Sequence, residues 1–155
     1  MTETGARVIA TADVAELLGR WWLEYDEGHF DVLESLLTDD AHFTCRTDTG
    51  KTDYEDFVRA DYRGRQAIMA WQTQHRLDSP YPLRHMGINV HLTGRRGDDA
   101  TFSSYLFVTH MVAGCVTNLS TAIVTGSARL DAGRARLCAL HVVLDTRTSV
   151  PFRER

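Results

Sequence analysis

Apolar side chains at Val14, Leu17, Leu18, Trp21, Trp22 and Tyr25 recur at i, i+3, i+4, i+7, i+8 and i+11. That spacing puts them on one stripe of an amphipathic helix. Asp13 followed by Glu16 resembles a capping box at its start, and Gly28 is a natural stop. A shorter second helix follows, with Phe30, Leu33, Leu36 and Leu37 facing inward until Thr38-Asp39-Asp40 breaks it. Residues 41–46 read as a first strand.

Residues 47–63 are polar and irregular, with Tyr54, Phe57 and Tyr62 set among charges. A segment of this kind in a compact domain is often a lid or binding loop, here with room for a helical turn or two. Gly64 opens a third helix, on which Ala67, Ile68, Trp71 and His75 share a face. Past Pro82 the period changes. Residues 83–93, 101–113, 115–130 and 135–146 are rich in Val, Ile, Thr, Phe and Tyr and read as long strands. The turns are residues 94–98, Gly114 and residues 131–133, short enough for an antiparallel meander. Three helices followed by antiparallel strands make an α+β domain.

The strands are greasy on both faces: Phe102, Leu106 and Val108 on one, Tyr105, Phe107 and Met111 on the other. A sheet with one face on helices normally turns polar residues to water on its other face. The second apolar face therefore predicts a homodimer packed sheet to sheet.

Composition narrows the function. The chain has 155 residues, 43% hydrophobic and 25% charged, which fits one globular domain. Its formal net charge is −4 and its arginines are scattered, so no nucleic-acid partner is expected. No apolar run is long enough to span a bilayer, and no secretory leader is visible. Cys45, Cys115 and Cys138 are odd in number and lack C-x-x-C spacing, which reads as reduced thiols in a cytoplasm. Ligand spacing for a metal is absent, as are phosphate loops and a nucleophile elbow. The expectation is activity with no metal and no organic cofactor.

Strand parity puts His85, Gly87 and Asn89 on one face, and His110 on the next strand shares a face with Ser104, Leu106 and Val108. Two histidines on neighbouring strands can converge on one cavity. Imidazole, with an ordinary pKa near 6.5, can take a proton and return it at neutral pH. Asp26 ends the first helix, where the dipole disfavours a negative charge, and a nearby imidazole would compensate it.

Three segments carry a family resemblance: Tyr25-Asp26-Glu27-Gly28-His29-Phe30-Asp31-Val32-Leu33, Arg84-His85-Met86-Gly87-Ile88-Asn89-Val90, and Tyr105 followed by His110. Their order resembles the nuclear transport factor 2-like superfamily, and within it SnoaL-like cyclases and dehydratases and scytalone dehydratase. The resemblance covers essentially the whole chain and implies one domain over residues 1–155, with flexible ends at 1–10 and 148–155. It implies a cone-shaped, strongly curved, mainly antiparallel sheet with three N-terminal helices enclosing a pocket. It also implies that Asp26 orients a histidine, that His85 and His110 line the pocket, and that Tyr25 helps hold a water against a substrate carbonyl. Two positions depart from the pattern: Cys45 stands where a second water-holding tyrosine falls, and Val124 near a family asparagine.

These readings predict a lyase, with dehydration leading, that removes a proton next to a carbonyl of a small apolar, polyketide-like or cyclic substrate. Isomerisation or cyclisation would use the same acid–base residues: His85, His110, Asp26 and Tyr25. Asn89, Tyr54, Phe57, Tyr62 and Trp71 are the expected substrate contacts. A ligand-binding or assembly subunit of the same fold is the alternative from another class.

Overall fold

A computed structural model describes residues 7–155; residues 1–6 of the expected N-terminal end lie outside them. The apolar stripe folds as α1 (Thr11–Glu27), with Val14, Leu17, Leu18, Trp21, Trp22 and Tyr25 all buried. The helix begins a turn earlier than Asp13 suggests. Asp13 is its third residue, and its carboxylate accepts the Ala10 N–H at 2.8 Å. Gly28 ends the helix at φ 72°, a left-handed conformation that favours glycine.

Then come α2 (Phe30–Ser35), β1 (Leu37–Thr47), α3 (Glu55–Val58), β2 (Ala60–Arg63) and α4 (Arg65–Leu77). Four long strands follow: β3 (Leu83–Arg96), β4 (Asp99–Val112), β5 (Cys115–Asp131) and β6 (Arg134–Leu144). The six strands form one open, mixed sheet in the order β2-β1-β6-β5-β4-β3. Every neighbouring pair is antiparallel except β1 with β6.

Two stretches differ from the sequence reading. β1 starts at Leu37, so Leu36 and Leu37 leave the second helix, and Leu37 pairs with Leu137 across the sheet. Residues 47–63 are largely ordered into elements. The Glu55 carboxylate accepts the Thr47 N–H at 3.2 Å and the Thr47 hydroxyl, pinning α3 to the end of β1. β2 then pairs with β1.

α1 lies across β3 and α4 across β1. Between helices and sheet, Leu18, Trp21, Ile68, Phe102, Leu137 and Leu140 are almost wholly buried. Each such aliphatic or phenyl side chain contributes roughly 1.5–3 kcal/mol. Gly87 lets the layers touch: a Cβ there would sit 3.1 Å from Trp22 Nε1. The opposite face of β3–β5 leaves Met86, Ile88, Tyr105, Met111 and Ile123 exposed. Among the described residues no helix is long and apolar enough to cross a membrane. All three cysteines are free thiols.

Candidate active site

The site forms where α1 runs out onto the start of β3. Asp26 is 3% exposed, at the helix end that repels a carboxylate. No basic residue lies in the last turn of α1. Arg76 of α4 supplies the missing charge: its Nε and Nη2 donate to the Asp26 carbonyl oxygen at 3.0 and 2.7 Å. Nη1 reaches the Pro80 carbonyl at 3.1 Å, so one guanidinium ties the helix end to the loop entering β3.

Both carboxylate oxygens of Asp26 serve His85. The His85 backbone N–H donates to Oδ2 at 2.7 Å, and its ring Nδ1 lies 2.6 Å from Oδ1. A carboxylate only accepts, so Nδ1 carries a proton, and in the neutral ring the lone pair falls to Nε2. Trp22 stacks on that imidazole at 5.1 Å and 11°, and Tyr25 meets it edge-on at 5.3 Å. The ring is held on three sides, with His85 lining the cavity.

A second imidazole stands across Tyr25. The Tyr25 hydroxyl lies 2.5 Å from His75 Nδ1. His75 is stacked on Trp71, 4.4 Å away, and meets the tilted ring of Phe57 at 4.5 Å and 32°. Burial, then the charges of His85 and Arg76, push its pKa down to about 4, so the ring is neutral near pH 7. Burial also raises the Tyr25 phenol well above its ordinary value, which keeps it an O–H donor. His75 Nε2 is buried with no hydrogen-bond partner among the described residues.

These groups line a cavity of about 130 Å³ with mostly apolar walls and no Lys or Arg. Cys45 is in the wall as a neutral thiol, its pKa pushed up to about 12 by burial and then by the charge of Glu55. A larger groove of about 560 Å³ between the start of α1 and the β5–β6 turn is lined by polar and charged side chains such as Arg7, Asp13 and Arg134. It contains no histidine, and the acid–base groups lie in the smaller cavity. Among the described residues no three His, Cys, Asp or Glu side chains are grouped as a metal would need.

The structure thus brings Tyr25, Asp26, His85, Phe57 and Trp71 together. Asn89 is turned away. β3 has a bulge between Ile88 and His91, with Asn89 at φ 55°, so Asn89 is exposed and lines a shallow outer depression with His91 and Tyr105. His110 pairs with Leu83, one alternation beyond the His85–Val108 pair. That displaces it by about 7 Å along the strand, outside the cavity lining. Tyr62 packs behind Trp71 at 6.2 Å, and Tyr54 is 45% exposed; neither lines the cavity. His75 is the site residue that the sequence reading placed on an inward helix face without assigning it chemistry. The signal was there: a histidine one turn after an inward Trp71.

A family model described as a SnoaL-like domain matches residues 6–146. No curated protein matches the chain. Solved structures share the fold at low identity. An NTF2-like protein with a cystatin-like fold from Novosphingobium aromaticivorans is 21% identical, with a TM-score of 0.68 over 86% of this chain and 80% of that one. ActVI-ORFA from Streptomyces coelicolor is 18% identical, with a TM-score of 0.69 over 86% and 95%. The β subunit of the benzoate 1,2-dioxygenase from Burkholderia mallei is 19% identical, with a TM-score of 0.67 over 89% and 92%.

Proposed function

The chain belongs to the SnoaL-like domain family, and on that premise we propose that it is a cofactor-free lyase, a dehydratase acting next to a carbonyl of a small apolar substrate. The observation that carries this reading is the Asp26–His85 pair at an apolar cavity. With Nδ1–H held by the carboxylate, His85 Nε2 is a base. It takes the α-proton, the C–H electrons move into the carbonyl as an enolate, and the same nitrogen returns the proton to a departing β-hydroxyl, which leaves as water. Returned instead to another carbon, the proton gives isomerisation; attack of the enolate on a second carbonyl gives cyclisation. His110, at the cavity rim, is the candidate for handling the proton on its way to solvent.

The test does not need the natural substrate. Acetophenone in D₂O exchanges its methyl protons only when a base removes them. Wild-type protein should accelerate that exchange above buffer, and His85→Ala should lose the acceleration. Equal rates with and without wild-type protein would favour a non-catalytic assembly subunit. That second reading draws on the likeness to a dioxygenase β subunit and on the exposed sheet face.

A second copy of this chain is the proposed cover for that face. Ile88, Tyr105 and Ile123 lie side by side across three strands and are all exposed. Such a continuous apolar row is self-complementary about a two-fold axis.

A further inference from the structure

We propose that His75, through its Nε2–H, is the hydrogen-bond donor that holds the substrate's carbonyl oxygen, with Tyr25 fixing its tautomer from behind. The inference rests on the proton-abstraction reading above and adds the orientation and class of the substrate. His75 Nδ1 and the Tyr25 hydroxyl share one hydrogen bond of 2.5 Å. A phenol is a far stronger acid than a neutral imidazole N–H, and an imidazole nitrogen is a better acceptor than a phenol oxygen, so Tyr25 donates. His75 must then carry its proton on Nε2. That atom is buried and without a partner among the described residues, and the residue lines the cavity. A buried donor left unpaired is destabilising, and a ligand acceptor relieves that.

The two imidazoles divide the work. Both pack on the Tyr25 ring, 6.2 Å away for His75 and 5.3 Å for His85. His85 presents a lone pair, and His75 presents a proton. A carbonyl compound spanning Tyr25 would set its oxygen on His75 and its α-carbon before His85. As the α-proton moves to His85 Nε2, negative charge gathers on the oxygen that His75 holds, where a fixed donor helps most. A neutral donor and walls without Lys or Arg favour an uncharged ligand head. The volume of about 130 Å³ is that of a cavity taking one six-membered ring. The buried part of the substrate is therefore a neutral ring ketone or aryl ketone, and Tyr25 acts as a positioning residue, its hydroxyl committed to His75.

The test uses acetophenone carrying carbon-13 at its carbonyl, bound to the intact protein at pH 7 and read by difference infrared spectroscopy. Bound to wild type, the carbonyl should absorb at lower wavenumber than in hexane, the signature of an accepted hydrogen bond. His75→Phe keeps a flat ring against Trp71 and Phe57 without a donor. The shift should vanish, and binding should weaken roughly three- to tenfold. His75→Gln places an amide N–H near the position of Nε2–H and should restore the shift. His85→Ala should keep the shift while losing proton exchange, so failure of the base and failure of the donor are read separately. An unshifted carbonyl in wild type, no binding at all, or a shift that survives in His75→Phe overturns the proposal.

Discussion

Two imidazoles face one cavity from either side of Tyr25, and what differs is the group behind each. Behind His85 stands a carboxylate, which can only accept, so the proton stays on the near nitrogen and the far one is a base. Behind His75 stands a phenol, which donates and sends the proton to the far nitrogen. The same side chain becomes base or donor according to its partner. The difference follows from which element supplies the partner. Asp26 comes from the end of α1, where Arg76 offsets the helix dipole. Tyr25, one residue earlier, lies about 100° round the helix and meets α4 instead.

The largest effects should come from breaking the carboxylate side. His85→Ala removes the base and should lower the rate of acetophenone proton exchange on the order of 10²–10⁴-fold. Asp26→Asn should fall in the same range for another reason. Its amide N–H₂ would donate to His85 Nδ1, forcing the proton to Nε2 and abolishing the lone pair. Asparagine keeps an oxygen for the His85 backbone N–H, so folding should survive. NMR exchange rates and thermal midpoints on both variants check this. An Asp26→Asn protein that exchanges at the wild-type rate would leave the two imidazoles chemically alike.

The phenol side should be visible in stability. Below about pH 6.5 the unfolded chain takes a proton on His75, which the folded chain refuses until about pH 4. The unfolded state therefore binds more protons in that window, and folding stability falls as pH falls, by up to about 3 kcal/mol from this group. His75→Phe has no such proton to take up. The wild-type and His75→Phe unfolding free energies should draw together or cross between pH 7 and pH 4.5, as measured by urea unfolding. Parallel curves would mean that His75 is not held neutral. Acids such as Asp48 and Asp61, whose pKa values are lowered, also titrate on the acid side, but they are common to both proteins.

A smaller change is expected on the far face of the sheet, where the cavity's chemistry is absent. Tyr105→Glu puts a charge in the middle of the Ile88–Tyr105–Ile123 row and should weaken self-association by roughly tenfold or more. Sedimentation checks it, and a wild-type chain that is monomeric at micromolar concentration removes the dimer.

Much of this comparison was legible in the sequence, and the illegible part has identifiable causes. The α1 stripe and the four long strands follow from periods of 3.6 and 2, which burial on one side enforces. A carboxylate at a helix end calls for a nearby imidazole, and the family resemblance implies His85 and His110 as the pocket histidines it could meet. Asn89 could not be placed, because a bulge shifts parity by one residue without altering composition. β2 is four residues, three of them exposed, too short and polar to show a period. The parallel pairing of β1 with β6 joins segments some hundred residues apart, beyond any local signal. His75 lay on a legible helix face, but its partner Tyr25 is fifty residues away, and the partner decides what the ring does.

The smallest effect is expected at His110, and it separates parity from position. His110 has the same alternation as Leu106 and Val108, so sequence alone directs it toward the cavity. The structure sets it opposite Leu83, which lines the cavity while His110 does not, half-buried and with no side-chain hydrogen bond among the described residues. A group there can pass protons to solvent but cannot reach an α-carbon held before His85. His110→Ala should therefore change acetophenone exchange by roughly twofold or less, the equivalent of about 0.5 kcal/mol. Stability should change as little. A loss comparable to that of His85→Ala would require the β4–β5 end to close over the cavity in solution, bringing His110 inward. The site would then hold three working imidazoles, and the division of roles between His85 and His75 would have to be redrawn.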